Sequence, residues 1–301
     1  MTDSRAVGDH PKIEEFAVAG QGDGPYGITV GPDGAVWFTL VHSGHIGRRD
    51  ADGEVTLHRL DLPDSAPSVI TTGPDGALWF TLAKAGAIGR ITTDGEITEY
   101  ELPTPDGGPF GITAGPDGAL WFTTMNTDHI GRITVDGEIT ERPLVCDGVF
   151  PSAIACGADG ALWFTLNKAG AIGRISVDGV VALHPLPSAE AAPVGITAGP
   201  GDALWFVEIG AGQVGRITTD GEITEFALPD RAARPHAIAG APDGSCWFTE
   251  WGGNRVGRIT ADGEITEYDL PTPSSEPHGI AVAPDGAVWV ALEIGALARI
   301  A

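Results

Sequence analysis

Apolar and polar residues alternate along this chain in short runs, and each run ends at a turn built from Gly, Pro or Asp. Alternation over about four to eight residues is typical of half-buried β-strands, whereas an amphipathic helix needs apolar residues three and four positions apart. Gly-Pro-Asp-Gly at 115–118 and Asp-Gly at 136–137 provide the fixed φ of proline and the positive φ of glycine that tight turns require. This stretch therefore predicts four antiparallel strands and no helix, near residues 111–114, 119–123, 130–134 and 138–141.

The same unit returns every 42 residues, seven times in all. A four-stranded unit of about 40 to 45 residues with one tryptophan is typical of a β-propeller blade. The repeat predicts an all-β fold, a seven-bladed β-propeller with four antiparallel strands per blade, as a single domain over residues 1–301. Its two markers are a proline and a tryptophan: Pro25, Pro67, Pro109, Pro151, Pro193, Pro235 and Pro277, and Trp37, Trp79, Trp121, Trp163, Trp205, Trp247 and Trp289.

The two ends of the chain are predicted to complete one blade together. Residues 12–16 are in register with residues 96–100, the outermost strand of a blade. The chain stops after residues 298–301, where the seventh copy would continue into its own outermost strand. We therefore expect the N-terminal strand to close the last blade, which would remove two exposed sheet edges.

The charge of the chain disfavours two classes of partner. Lys and Arg total 17 against 41 Asp and Glu, a formal net charge of −24, which opposes binding to nucleic-acid phosphates and to anionic membranes. Residues 1–20 lack a signal-peptide pattern and no apolar run approaches about 20 residues, so we expect a cytoplasmic protein. Nothing in the repeat demands a partner protein, and we expect a monomer. Three cysteines are too few and too irregularly spaced for a disulfide framework or a zinc site: Cys146, Cys156 and Cys246.

Positions at which one or two copies depart from the repeat are where function is expected. Strand parity places the loops before the proline and after the tryptophan on one face, around the central channel. Glu276, His278 and Glu293 are therefore predicted to converge at one blade mouth, with His236 in the neighbouring blade. In blade order, the residue before the proline is Gly24, Ala66, Gly108, Phe150, Ala192, Arg234 and Glu276. The residue after the proline is Tyr26, Ser68, Phe110, Ser152, Val194, His236 and His278. The residue three positions past the tryptophan is Leu40, Leu82, Thr124, Leu166, Glu208, Glu250 and Leu292.

Two carboxylates without a thiolate suit a hard cation such as Mg²⁺, and a nearby histidine that titrates near neutrality suits a general base. A salt bridge between Arg234 and Glu276 is the alternative for the charged pair. Trp251, beside Glu250, either offers a flat surface to a ligand or packs between blades. Arginines that recur in almost every blade are interpreted as structural, and the remaining histidines as surface hydrogen-bonding residues: His10, His42, His45, His58, His129 and His184.

Three segments identify a family: Gly-Pro-Tyr-Gly-Ile-Thr at 24–29, Ala-Arg-Pro-His-Ala-Ile at 233–238 and Ser-Glu-Pro-His-Gly-Ile at 275–280. With the repeated Ile-Gly-Arg-Ile-Thr and Asp-Gly-Glu-Ile-Thr-Glu, they make the chain resemble the virginiamycin B lyase family, the streptogramin B lyases, over essentially its full length. The blade consensus is shared with other propellers. The combination of Arg-Pro-His, Glu-Pro-His and the late Glu293 is more specific.

The resemblance implies a seven-bladed propeller that linearises streptogramin B-type cyclic depsipeptides by elimination with Mg²⁺, a carbon–oxygen lyase that confers antibiotic resistance. By the same resemblance, His278 matches the general base, Glu276 and Glu293 match the metal-binding acids, and His236 matches a substrate-contacting histidine. We also expect Tyr26 and Trp251 to contact the substrate: Tyr26 lies in the first of these motifs and Trp251 on the same face.

The chain departs from the family pattern at Leu82, Thr124 and Leu166, where the lyases often carry glutamate. We expect these residues to make the channel more apolar opposite the metal and so to affect substrate preference. Two other functions remain as alternatives, because a propeller fold does not decide between them. One is a non-catalytic propeller that binds a peptide or small ligand on this face, and the other is a metal-dependent hydrolase of lactones or cyclic peptides.

Overall fold

A computed structural model describes residues 11–62, 64–144 and 146–301. Seven four-stranded antiparallel sheets lie in a ring, since each innermost strand contacts the next and the seventh contacts the first. The structure thus confirms the predicted all-β, seven-bladed propeller. Among the described residues, no helix is long and apolar enough to cross a membrane.

The strands of blades 1 to 6 follow one another along the chain from the channel outwards. Blade 7 uses the N-terminal strand β1 as its outermost strand. In chain order the strands are β1 Ile13–Ala17; β2 Pro25–Val30, β3 Val36–Leu40, β4 His45–Arg49, β5 Val55–Arg59; β6 Pro67–Thr72, β7 Leu78–Leu82, β8 Ala87–Ile91, β9 Ile97–Glu101; β10 Pro109–Ala114, β11 Leu120–Thr124, β12 His129–Ile133, β13 Ile139–Pro143; β14 Pro151–Cys156, β15 Leu162–Leu166, β16 Ala171–Ile175, β17 Val181–Pro185; β18 Pro193–Gly199, a 3-10 turn Pro200–Asp202, β19 Ala203–Glu208, β20 Gln213–Ile217, β21 Ile223–Ala227; β22 Pro235–Gly240, β23 Ser245–Glu250, β24 Arg255–Thr260, β25 Ile265–Asp269; β26 Pro277–Val282, β27 Val288–Leu292 and β28 Ala296–Ile300.

Closure of the ring takes the predicted form. Strand β1 pairs antiparallel with β28, with Ile13 opposite Ile300 and Ala17 opposite Ala296. Phe16 of β1 packs against Trp289 of the same blade, with ring centroids 5.9 Å apart. The N-terminal strand therefore covers the edge that β28 would otherwise expose.

The tryptophan of the repeat is a core residue of each blade, and in blades 1 to 5 its indole N–H donates to the turn before it. In blade 1, Trp37 is fully buried and its Nε1 donates to Asp33 at 3.1 Å, while Arg48 donates to the second oxygen of Asp33 at 2.8 Å. This arrangement recurs in blades 2 to 4, which supports a structural role for the repeated arginines. The predicted surface role is wrong for His58 and His184, whose half-buried rings stack on Trp37 and Trp163 because their outer-strand position faces the neighbouring tryptophan.

A buried threonine two residues past tryptophan ties neighbouring blades together. Thr39 accepts the N–H of Gly27 at 2.8 Å and donates to the carbonyl of Ser68, on the next inner strand, at 2.7 Å. We call this pair of bonds the threonine clamp. Blades 5 and 7 carry Val207 and Ala291 at this position. The same two bonds are made by Thr81, Thr123, Thr165 and Thr249.

Candidate active site

The residue before each repeat proline adopts a left-handed backbone, including Arg234 at φ 52° and Glu276 at φ 51°. Its carbonyl accepts the N–H of the loop that follows the second strand, so Glu293 N–H donates to Glu276 at 3.2 Å. Asn254 of blade 6 holds this segment from the other side, because its Oδ1 accepts both the N–H and the hydroxyl of Ser275 at 2.8 Å. These backbone bonds bring the two acids of blade 7 to the same end of the channel.

A β-bulge lies directly after the proline in every inner strand, so the pairing register shifts between Pro277 and Ile280 and at the matching positions of the other blades. Bulges re-aim side chains and are common beside active sites. Here the bulge contains the residues that follow the proline: Tyr26, His236 and His278 among them.

The six residues predicted for the site meet in one cluster at the end of the channel. The imidazole Nε2 of His278 lies 2.5 Å from Glu293 Oε2, and the His278 ring centroid lies 4.5 Å from that of Tyr26. The same ring is 4.9 Å from His236 and 6.5 Å from Trp251. Tyr26 also contacts His236, with its hydroxyl oxygen 3.3 Å from the histidine Nε2.

A cavity of about 530 Å³ occupies the channel below this cluster. Its walls are the inner strands, which present mostly backbone, glycine and small or β-branched side chains. Tyr26, Phe110 and His236 line it at the cluster end. The cluster therefore adds charged and imidazole groups to one end of a channel that is otherwise lined by backbone and small or β-branched side chains.

Burial keeps the aromatic and imidazole groups of the cluster uncharged. It lowers the pKa of His236 to about 3, with a further contribution from His278, and it raises the pKa of the Tyr26 hydroxyl, with the Glu293 charge adding to the effect. Burial also lowers the pKa of His278, although the bond to Glu293 opposes this shift. Neutral pH thus leaves His278 with one nitrogen free to accept a proton.

Glu293 behaves in the opposite way. Its burial alone would raise its pKa, but hydrogen bonds from His42 and His278 outweigh burial and hold the pKa below the usual value of 4.5. Glu293 is therefore an ionised carboxylate that accepts one bond at each oxygen, from His278 at 2.5 Å and from His42 Nε2 at 2.7 Å.

Glu276, His278 and Glu293 each offer a ligand atom within 4.8 Å of the others, a spacing that fits one metal ion. Within residues 11–62, 64–144 and 146–301, the exposed Glu276 carboxylate makes no hydrogen bond or ion pair, so it is available to a ligand. Two carboxylates match the oxygen preference of Mg²⁺. The donor set therefore fits the predicted metal.

The alternative pairing of Arg234 with Glu276 is not formed. Arg234 instead lies over the Trp251 ring, with its guanidinium carbon 5.5 Å from the ring centroid. The indole Nε1 of Trp251 is buried without a partner among the described residues. Trp251 is partly buried against its neighbours and also borders His278. Its position is therefore compatible both with packing between blades and with contact to a ligand.

The position three residues past tryptophan does not line the channel, which corrects one sequence prediction. Leu82, Thr124 and Leu166 are fully buried, as are Glu208 and Glu250. Each is the last residue of its blade's second strand. Leu82 and Leu166 belong to buried clusters shared with the preceding blade, whereas the Thr124 hydroxyl bonds Thr127 of its own loop at 2.9 Å. These residues therefore do not make the channel mouth more apolar.

His42 is the site residue that sequence reasoning missed, since it was interpreted as an ordinary surface histidine. It is exposed and belongs to blade 1, 251 residues from the glutamate it contacts. One signal in the sequence could have identified it: closure of the ring places the loop of blade 1 that carries His42 beside blade 7.

The sequence pattern that defines the virginiamycin B lyase family matches residues 11–300 of this chain. The chain belongs to the virginiamycin B lyase family. Curated relatives named virginiamycin B lyase include those of Saccharopolyspora erythraea, 62% identical over 50 residues, and Streptomyces coelicolor, 57% identical over 51 residues. Each of these matched segments spans only 17% of this chain and 17% of the relative.

Solved structures of this family cover nearly the whole chain. A streptogramin B lyase structure has a TM-score of 0.94 and 46% identity, over 97% of each chain. A catalytically inactive histidine-to-alanine variant of the virginiamycin B lyase from Staphylococcus aureus, solved with quinupristin, has a TM-score of 0.93 and 46% identity, over 97% of this chain and 99% of that one.

Proposed function

We propose that this protein is a Mg²⁺-dependent carbon–oxygen lyase that linearises streptogramin B-type cyclic depsipeptides by elimination, and so confers resistance to these antibiotics. The observation that carries the proposal is the convergence of Glu276, His278 and Glu293 at one blade mouth, in a chain of the virginiamycin B lyase family. The relative solved with quinupristin, in which a histidine was replaced to inactivate the enzyme, supports both a small cyclic peptide substrate and a histidine role.

His278 is the proposed base. Its imidazole is neutral at pH 7. Because Nε2 donates to Glu293, Nδ1 is the nitrogen that accepts the proton of the α-carbon beside the ester-bearing β-carbon. The electron pair of the broken C–H bond forms the Cα=Cβ double bond, while the Cβ–O bond breaks and the carboxylate leaves. Glu293 stabilises the imidazolium that results, because its charge lies 2.5 Å from Nε2.

Glu276 and Glu293 would hold the metal. Mg²⁺ bound there would act as a Lewis acid toward the negative charge that develops on the carbonyl next to the α-carbon. Glu276 has a free, exposed carboxylate, whereas Glu293 is already ionised and oriented by two histidines. Both carboxylates are thus available to a cation.

Tyr26, His236 and Trp251 would contact the substrate around His278. Their rings lie 4.5, 4.9 and 6.5 Å from the His278 ring, and the two polar ones stay neutral. Neutral donors and an indole face suit a cyclic peptide, which offers amide carbonyls and apolar side chains rather than a dense negative charge.

The test is turnover of a streptogramin B by the purified protein, with Mg²⁺ and then with excess EDTA. Loss of activity in EDTA, and loss in His278→Ala with an unchanged melting curve, are expected. His45→Ala is the matched control, because the imidazole of that blade 1 histidine contacts Ser43, two residues before it, at 3.3 Å. Full activity of His278→Ala would remove it as the base, and wild-type activity of Glu276→Gln and Glu293→Gln at low Mg²⁺ would remove the metal assignment.

A further inference from the structure

His42 forms a chain of hydrogen bonds with the two reactive residues of blade 7. Its Nε2 donates to Glu293 Oε1 at 2.7 Å, and Glu293 Oε2 accepts from His278 at 2.5 Å. Each oxygen of the glutamate is thus held by a different histidine. One comes from blade 1 and the other from blade 7.

The backbone leaves space for His42 to reach across. Gly24, directly before Pro25, has φ +66°, and a Cβ placed on it would lie 2.5 Å from His42 Cδ2 and 3.0 Å from its Nε2. Any side chain at residue 24 would therefore displace the imidazole. In blades 2, 4, 5, 6 and 7 the same position carries a side chain: Ala66, Phe150, Ala192, Arg234 and Glu276. Glycine at position 24 thus accommodates the contact between His42 and Glu293.

The contact also crosses the junction between blades 7 and 1, where a threonine clamp cannot form. Ala291 stands in blade 7 at the position of Thr39, and it has no hydroxyl to donate to the inner strand of blade 1. The bond from His42 to Glu293 supplies a polar link across this junction, at the site itself.

From these three observations we propose that His42 is a positioning residue of the site, which fixes the Glu293 carboxylate toward Glu276 and His278 from the first blade. The proposal rests on the proposed function, since it assigns Glu293 a role in binding the metal. A carboxylate held at one oxygen only could rotate about its last side-chain bond, and an ordered pair of acids binds a cation better than a disordered pair.

The experiment compares wild type with His42→Ala, His42→Gln and the control His45→Ala. Mn²⁺ binding without substrate is followed by electron paramagnetic resonance, and kcat and KM are measured in parallel. His42→Ala is expected to weaken Mn²⁺ binding by about 10- to 100-fold, as loss of a residue behind a metal ligand typically does. His42→Gln, whose amide still donates, should recover part of the loss, while His45→Ala should match wild type. Wild-type Mn²⁺ affinity in His42→Ala would overturn the proposal.

A second readout is independent of the metal. In a metal-free crystal structure of His42→Ala, the Glu293 carboxylate is expected to rotate while it keeps its remaining bond to His278, and an unchanged carboxylate would overturn the positioning role. If the wild-type protein bound no Mn²⁺, the metal assignment of the proposed function would fail. The crystal structure would then decide on His42 alone.

Discussion

Thr249 joins the strands that carry His236 and His278, and its replacement by valine tests how far the site depends on the threonine clamp. The hydroxyl of Thr249 accepts the N–H of Ala237 at 3.0 Å and donates to the carbonyl of His278 at 2.8 Å. Valine has nearly the same shape, so the substitution removes both bonds while leaving the packing intact. Thr249 is fully buried, and water cannot replace the lost partner without rearrangement.

Two backbone groups lose their partner in Thr249→Val, and each buried orphan costs about 1–3 kcal/mol. We expect the free energy of unfolding to fall by roughly 2–6 kcal/mol. Because the freed carbonyl belongs to His278, we also expect kcat to fall by about 10- to 100-fold, the scale of a small misplacement of a catalytic group.

Thr165→Val is the matched control. Thr165 makes the same two bonds, at 3.0 Å to Ala153 and 2.7 Å to Val194, but it joins blades 4 and 5. Urea denaturation should show a similar loss of stability in both variants, while only Thr249→Val should lose activity. Equal activity of the two variants, or an unfolding free energy of Thr249→Val unchanged from wild type, would refute the reasoning.

Two further predictions concern stability. Burial, with a contribution from Glu225, raises the pKa of Glu208 to about 7 from 4.5. The contribution of Glu208 to stability is therefore fully present below about pH 4.5, and about 3 kcal/mol of it is lost as pH rises through 7. In urea denaturation at pH 5 to 8, Glu208→Gln should remove this part of the pH dependence of the unfolding free energy, whereas the control Glu222→Gln, at an exposed position, should keep it. Identical pH profiles for wild type and Glu208→Gln would contradict the prediction. Deletion of residues 1–18 should lower the melting temperature by about 10 °C. Loss of the partly buried Phe16 alone costs about 3 kcal/mol, and each kcal/mol lowers the melting temperature by about 2–4 °C. An unchanged melting temperature would contradict the closure role of β1.

The fold was predictable because its signals are periodic. A unit repeated in strict register fixes the number of blades, and the match of residues 12–16 to an outer strand predicted the pairing of β1 with β28. The six site residues came together as expected because they all lie at one end of three blades that are consecutive in the ring, blades 6, 7 and 1. The monomeric state and the cytoplasmic location remain predictions.

The incorrect prediction for the position three residues past tryptophan shows how much a shift of one residue along a strand changes where a side chain lies. Glu208 and Glu250 are the fully buried last residues of their strands, whereas Glu293 lies one position past the end of β27 and reaches the site. Side chains of a strand alternate between faces, so one position changes the destination of the carboxylate completely. His42 was missed because its partner lies 251 residues away in the sequence, in the adjacent blade 7, and no local pattern in blade 1 indicates which residue of blade 7 it meets.

The central claim is elimination, and the mass of the product tests it most directly. A streptogramin B should be incubated with the purified protein and Mg²⁺, and the product analysed by mass spectrometry. Elimination predicts a linear product of unchanged mass with a new carbon–carbon double bond, because the proton lost at Cα is balanced by the proton that the released carboxylate takes up and no water is added. A product heavier by one water would establish a hydrolase, and tight binding without any product would establish a binding propeller; either result would contradict the proposed lyase activity.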